Sequence, residues 1–256
     1  MVLSYNLVIS KTMETFSECN INSFPFNCFH LLEHYGFRIF TYNEAKENNE
    51  RLFLLCKKYS DDAFRYGKNK TVVYNPEMPQ TRISFSLMHE LGHEILGHVG
   101  TSPKNEMEAN IFASYILAPR IAIHYAKCKN AYDVSRAFEI SYEAAKIAFE
   151  DYLRWRHYIV LRNNKITPVD KAMYDHFYSE DYNKFVWSIK KCKHCGREFI
   201  NSADDACEYC NIELWGLSEP MDWPCESAPV EPKVSNWWEP PGFDDAERQW
   251  LYGSDL

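Results

Sequence analysis

The chain has 256 residues, 46% of them hydrophobic and 16% aromatic, which is enough for a substantial core and excludes an intrinsically disordered protein. No stretch approaches the roughly 18 uninterrupted apolar residues of a membrane span, and the opening MVLSYNLVISKTMETF has neither the basic head nor the apolar run of a signal peptide, so a cytoplasmic protein without membrane partners is expected. The net charge of −8 belongs to the C-terminal part: residues 201–256 carry 13 acids against Lys233 and Arg248, which leaves residues 1–200 at +3.

There is no internal repeat, and the first twenty residues give little signal. SFPFNCFHLLEHYGFRIFTY (23–42) reads as a short helix closed by Gly36 and followed by a strand at about 37–42. NEAKENNERLFLLCKKYSDDAF (43–64) is expected to be helical, with RLFLLCKKY as an alternative strand. KTVVYN (70–75) is a strand ended by Asn75-Pro76. A helix from about Arg82 follows, with Ile83, Leu87, Leu91 and Ile95 at helical spacing. A second helix is expected from near Asn105 to Pro119, which breaks it. Further helices lie in NAYDVSRAFEISYEAAKIAFEDYLRW (130–155), and a poorly defined connection leads to a cysteine segment.

The chemistry concentrates in SFSLMHELGHEILGH (84–98), where three of the nine histidines and two glutamates share ten positions. Helical residues four apart lie about 40° apart around the axis, so His89 and His93 project from one face and can bind one zinc ion. Glu90, about 100° round from His89, can reach a water on that metal without displacing it. Activated water beside a general base serves amide hydrolysis. The competing reading, a helix with unrelated histidines, would bury two imidazoles and a carboxylate without partners, at a cost.

A third protein ligand is needed. The metzincin pattern has glycine and histidine three and six residues after the second histidine; Gly97 and His98 fall at four and five, so that geometry does not fit. Glu106 and Glu108 on the next helix could both approach the metal, and Asn105-x-x-Glu108 also reads as a capping box. Spacing leaves the choice open.

RISFSLMHELGHEILGH followed by EMEANIFASYILAPR closely resembles the ImmA/IrrE family of zinc metallopeptidases. The matching elements are His89-Glu90-Leu91-Gly92-His93, Glu108-Ala109-Asn110, Phe112-Ala113 and Leu117-Ala118-Pro119, and the likeness extends over about residues 25–155. The resemblance implies that Glu108 is the third zinc ligand, Glu90 the base and Glu106 a solvated neighbour. It also implies a substrate: family members cleave helix-turn-helix repressors of mobile-element or stress-response genes. His98, Tyr115, Arg120 and His124 are candidates for transition-state stabilisation by proximity in sequence.

CKHCGREFINSADDACEYCN (192–211) holds two CxxC pairs, Cys192 and Cys195, then Cys207 and Cys210. Four thiolates make a closed tetrahedral site, which would be a structural zinc. Gly196 and Asn211 both tolerate the left-handed backbone such turns need. Disulfides or a redox pair are disfavoured in a reducing compartment. The ribbon could bind the repressor, pair protomers or dock on the catalytic domain.

The expected architecture is α+β: a zincin-like helical bundle on a small sheet, then a four-cysteine zinc ribbon. The expected divisions are an N-terminal extension (1–24), the metallopeptidase domain (25–156), a connection (157–189), the ribbon (190–216) and an acidic, Trp- and Pro-rich tail (217–256) that could engage a basic repressor or cover the cleft. The expected cofactors are two zinc ions, one catalytic and one structural. A DNA-binding role for DVSRAFEISYEAAKIAFEDYLRW is disfavoured by Glu143, Glu150 and Asp151 on its second helix, so no direct nucleic-acid contact is expected. A zinc-bound protein that holds a partner without cutting it is the alternative to a protease, and Glu90 speaks against it.

Overall fold

A computed structural model of the chain describes residues 5–59, 62–66, 70–100, 102–161 and 166–214. It is mostly helical with three small sheets, an α+β arrangement. The expected acidic tail lies outside the described residues. Among the described residues no helix is long and apolar enough to cross a membrane.

The uninformative N-terminus contains a helix, α1 (Tyr5–Glu18). Its buried face mixes Val8, Ile9 and Phe16 with Thr12 and Thr15, so the apolar period is interrupted. Both threonine hydroxyls donate back to the helix, to the Val8 and Lys11 carbonyls at 2.9 Å, and so enter the core satisfied. Helix α2 (Cys28–His34) starts on Asn27, whose side chain accepts from the Phe29 amide, and the chain turns at Gly36, φ +77°, into strand β1 (Arg38–Thr41). A capping box between Thr41 and Glu44 opens α3 (Tyr42–Asn48), and α4 (Glu50–Tyr59) follows. Ala63–Tyr66, which the helical expectation ran into, is strand β2.

Strand β3 (Thr71–Tyr74) lies between the others, parallel to β1 and antiparallel to β2, so β2 forms an edge. Its alternation serves two cores: Val72 faces the main cluster, whereas Val73 packs with Tyr42 and Ala45.

Helix α5 (Gln80–Ile95) buries Ile83, Leu87, Met88 and Leu91. Helix α6 (Pro103–Leu117) starts one residue after Ser102, whose hydroxyl accepts from the Asn105 amide at 3.1 Å, with Pro103 in the first turn. The cap is therefore Ser102 and not Asn105, whose side chain donates instead to the Gly100 carbonyl. The two helices meet closely at Gly92: a Cβ there would lie 3.0 Å from Phe112 Cδ1 and 3.3 Å from Ala109 Cα. A larger residue would require the Phe112 side chain or the Ala109 backbone to give way.

Pro119 ends α6 as expected, and a short helix α7 (Arg120–Tyr125) begins at once, followed by α8 (Ala131–Phe138) and α9 (Tyr142–Leu161). The poorly defined connection contains α10 (Pro168–Phe177) and a hairpin of β4 (Tyr178–Ser179) and β5 (Lys184–Phe185). Asp170, fully buried at the start of α10, ties this segment to the bundle. It accepts from Arg120 Nε and Nη2 at 3.0 and 2.8 Å, from Trp155 Nε1 at 3.2 Å and from Thr167 at 2.8 Å.

The cysteine segment is a hairpin of β6 (Ile189–Lys191) and β7 (Glu198–Ile200) followed by α11 (Glu208–Leu214). It docks on the helices through Trp187, which packs on Phe138, and through Arg136 paired with Asp204 at 2.6 Å. Asn201 splices the hairpin to the preceding strand, accepting from the Trp187 amide and donating to the Phe185 carbonyl, both at 2.8 Å.

Removing one partner from a buried ion pair leaves the other charge uncompensated. Asp170→Ala is therefore expected to cost about 3–5 kcal/mol of unfolding free energy in urea titration. A change under about 1 kcal/mol would mean that the Asp170 cluster does not hold α10 to the bundle.

Candidate active site

His89 and His93 lie one turn apart on α5 with their Nε2 atoms 3.1 Å apart. Glu106, from α6, places Oε2 3.3 Å from His89 Nε2 and 3.6 Å from His93 Nε2. Zinc bonds of roughly 2.0–2.2 Å in tetrahedral array require ligand atoms roughly 3.3–3.5 Å apart, so the triangle has the size for one zinc ion. Two imidazoles and one carboxylate also match the donor set of an open catalytic site. Burial, reinforced by the nearby His89, pushes His93 down to about 4, which keeps its ring neutral and its lone pair available near pH 7. The outer nitrogen of each ring is engaged as well: His89 Nδ1 lies 2.8 Å from Asn110 Oδ1, and His93 Nδ1 lies 3.0 Å from His98 Nδ1. With Asn110 as acceptor, His89 carries its proton on Nδ1 and presents Nε2.

Glu108 is not where the resemblance led us to expect it, and its placement corrects that expectation. Residues 106 and 108 are about 200° apart around α6, so only one of them can face α5. Glu106 is the one that reaches the histidines. Glu108 turns inward instead, with Oε2 3.2 Å from His98 Nε2 and Oε1 3.6 Å from Lys104 Nζ, and its side chain is only 9% exposed. The similar look of the two carboxylates in EMEAN hid this, because the phase of α6 is set by Ser102 and by packing at Gly92.

Glu90 sits beside this triangle with its carboxyl pushed up to about 7 by burial, opposed by the positive charge of Arg65 and assisted by Glu106. Arg65 comes from edge strand β2: its Nε lies 3.8 Å from Glu90 Oε2 and its Nη1 3.1 Å from Glu94 Oε2. Lys70 completes the group, 3.0 Å from Glu94 Oε1. Nothing local in the sequence singles out Arg65, since it reaches the site only because β2, paired with β3, packs against α5. Of the four residues expected near the chemistry by sequence proximity, His98 is there. Tyr115 and Arg120 belong to the buried Asp170 cluster, and His124 packs against Tyr152 and Trp155.

The four cysteines also converge. Sulfur atoms of Cys192, Cys195, Cys207 and Cys210 all lie within 4.8 Å of one another. The first pair sits in a turn where Gly196, at φ +69°, returns its amide to the Cys192 carbonyl at 2.9 Å. The second pair differs from expectation: Cys210 and Asn211 lie in α11, so Asn211 is helical and not left-handed. Backbone amides of Cys195 and Cys207 hold the Cys192 thiol down to about 5, while hydrogen bonding with the Cys195 sulfur, and then burial, push Cys210 up to about 12. Sulfur atoms this close could all be thiolates only around a bound cation. Most of the basic residues nearby are engaged internally, Lys193 with Asp205, Lys190 with the Ala203 carbonyl and Arg197 over the Tyr209 ring.

Residues 33–150 match a family model described as Peptidase_M78, IrrE N-terminal-like domain. No curated protein matches the chain. The matched span runs from α2 into α9; it contains the histidine pair, Glu90, Glu106 and Glu108, and leaves the cysteine cluster outside. Residues 33–150 of this chain are thus similar to the IrrE N-terminal-like domain, a match that supports the ImmA/IrrE family and a metallopeptidase-type function.

Proposed function

We propose that this protein is a zinc-dependent endopeptidase in which His89, His93 and Glu106 hold the catalytic ion and Glu90 is the general base. The observation that carries this reading is the convergence of two imidazole nitrogens and one carboxylate at zinc-sized separations beside a second carboxylate, that of Glu90, whose side chain is 16% exposed. A zinc ion held by these three residues would supply Lewis acidity toward the scissile carbonyl and the attacking water. Glu90 accepts a proton from that water as its oxygen bonds to the carbonyl carbon. It then delivers the proton to the amide nitrogen as the carbon–nitrogen bond breaks, so that one water is consumed per bond. Burial suits Glu90 to both steps by bringing its affinity for the proton closer to neutrality. Arg65 keeps part of the population ionised. β2, at the edge of its sheet, can accept an extended peptide alongside by main-chain hydrogen bonds.

The substrate we infer is a helix-turn-helix transcriptional repressor of a mobile element or stress response, a reading that rests on family resemblance. A partner-binding protein that does not cut would have no use for a base at position 90. The cysteine cluster is read as a second, structural zinc site, because four sulfur atoms leave no position for water.

Co-expression with the helix-turn-helix protein encoded beside it, followed by intact-mass analysis, is expected to give two fragments of that partner with wild type and none with Glu90→Gln. An intact partner that co-purifies with both forms would defeat the protease reading. Once cleavage can be followed, Arg65→Met should move the acid limb of the kcat/KM profile to higher pH. The positive charge lowers the Glu90 pKa, so its loss raises that pKa, and activity disappears sooner as pH falls. An unmoved or lowered limb would show that Arg65 does not tune the base. Metal analysis of the full chain is expected to find two zinc ions in wild type and one in the Cys192→Ser/Cys195→Ser variant. One ion in both would remove the cysteine site.

A further inference from the structure

The sequence places Gly97 and His98 one position away from a known zinc-ligand spacing, and the structure gives that offset its own geometry. Helix α5 ends with Leu96 as C-cap, Gly97 in the left-handed region at φ +66°, and two return hydrogen bonds. The Gly97 amide donates to the Glu94 carbonyl at 3.1 Å and the His98 amide to the His93 carbonyl at 2.9 Å. This is a Schellman closure, which bonds the residue after the glycine to the one five positions earlier. His98 is thereby folded back onto His93. Its ring meets the His93 ring nitrogen to nitrogen, Nδ1 to Nδ1 at 3.0 Å, and its other nitrogen meets Glu108 Oε2 at 3.2 Å. The side chains of His98 and Glu108 are 6% and 9% exposed, so the chain of contacts is shielded from water.

We propose that His98 and Glu108 are positioning residues that fix the tautomer and orientation of His93, through the sequence His93–His98–Glu108. The proposal rests on the reading of His89, His93 and Glu106 as the ligands of the catalytic ion. A ligand that offers Nε2 to a metal must carry its proton on Nδ1. The His93 Nδ1–H then donates to His98 Nδ1. His98 Nδ1 must therefore be the acceptor, so its proton is on Nε2, where it donates to Glu108. Each ring has one consistent tautomer, and Glu108 terminates the sequence with a charge that only accepts. Asn110 does the same service for His89 in one step. Both histidines are thus oriented from α6 or from the α5 closure, and the two carboxylates of EMEAN divide the work: Glu106 faces the ion and Glu108 faces the residue behind it.

The test uses the full chain loaded with zinc, and its primary readout is the imidazole 15N shifts. Wild type is expected to show His93 protonated on Nδ1 and His98 on Nε2; a His98 protonated on Nδ1 would overturn the proposal without any variant. The second readout is zinc affinity of the histidine site by chelator competition, with cobalt spectra separating it from the thiolate site. His98→Phe is expected to weaken that affinity about 10- to 100-fold. His98→Gln, whose amide can still accept from one side and donate on the other, should recover most of the loss. Affinity unchanged in a folded His98→Phe protein would sink the positioning role. Glu106→Gln should weaken binding more than any change at His98 or Glu108. The reverse order, with Glu108→Gln abolishing binding and Glu106→Gln sparing it, would make Glu108 the ligand and overturn both readings. Wild type that takes up no zinc at the histidines would defeat the proposed function, and this inference with it.

Discussion

The close approach of α5 to α6 at Gly92 governs the site. With no side chain at that position, the Ala109 backbone and the Phe112 ring come within about one van der Waals contact of α5. At that separation a carboxylate one turn from the start of α6 reaches the face of α5 that carries His89 and His93. The phase is decided by the same contact: with Ala109, Phe112 and Ile116 pointing into the core, Glu106 is turned toward the histidines and Glu108 is turned under the end of α5. One small residue in HELGH thus has a geometric role distinct from the chemistry of its neighbours.

Low polarity around the site acts on three groups in different ways. It disfavours the cationic form of His93, leaving a neutral ring suited to bind a metal. It disfavours the anionic form of Glu90, which brings a carboxyl toward the range where it can both take and return a proton. For Glu108, whose side chain is 9% exposed, the cost of burial is offset by the His98 contact and by Lys104 on the preceding turn. A bound cation would draw Glu90 back toward the ionised form, against the effect of burial.

The parts outside the family domain are fastened to it by specific polar contacts as well as by packing. Arg120 and Asp170 join α7 to α10 through a bidentate pair that also engages Trp155 and Thr167. The cysteine hairpin reaches α8 through Trp187 on Phe138 and Arg136 on Asp204. Among the described residues such a small hairpin buries Cys192, Ala206 and Cys207 in its own cluster, with Phe199 and Cys210 packed against them, too few to stabilise it alone. Docking and the sulfur cluster therefore share that task.

The sequence by itself determined the elements whose signals are local: α2 closed at Gly36, the strand TVVY, the HELGH helix with both histidines on one face, and the first CxxC turn at Gly196. These follow from helical periodicity, glycine conformation and ligand spacing, which act within a few residues. Only the tertiary structure decided the rest. Helix α1 escaped notice because Thr12 and Thr15 interrupt its apolar face and are satisfied within the helix. Strand β2 and Arg65 depend on a partner strand several residues away in the chain, and their location beside Glu90 is a property of the sheet. Which of Glu106 and Glu108 faces the histidines turns on a rotation of about 200° around α6, which two neighbouring acidic positions in a sequence do not encode. That rotation follows from where Ser102 starts the helix and from how closely Gly92 lets it approach.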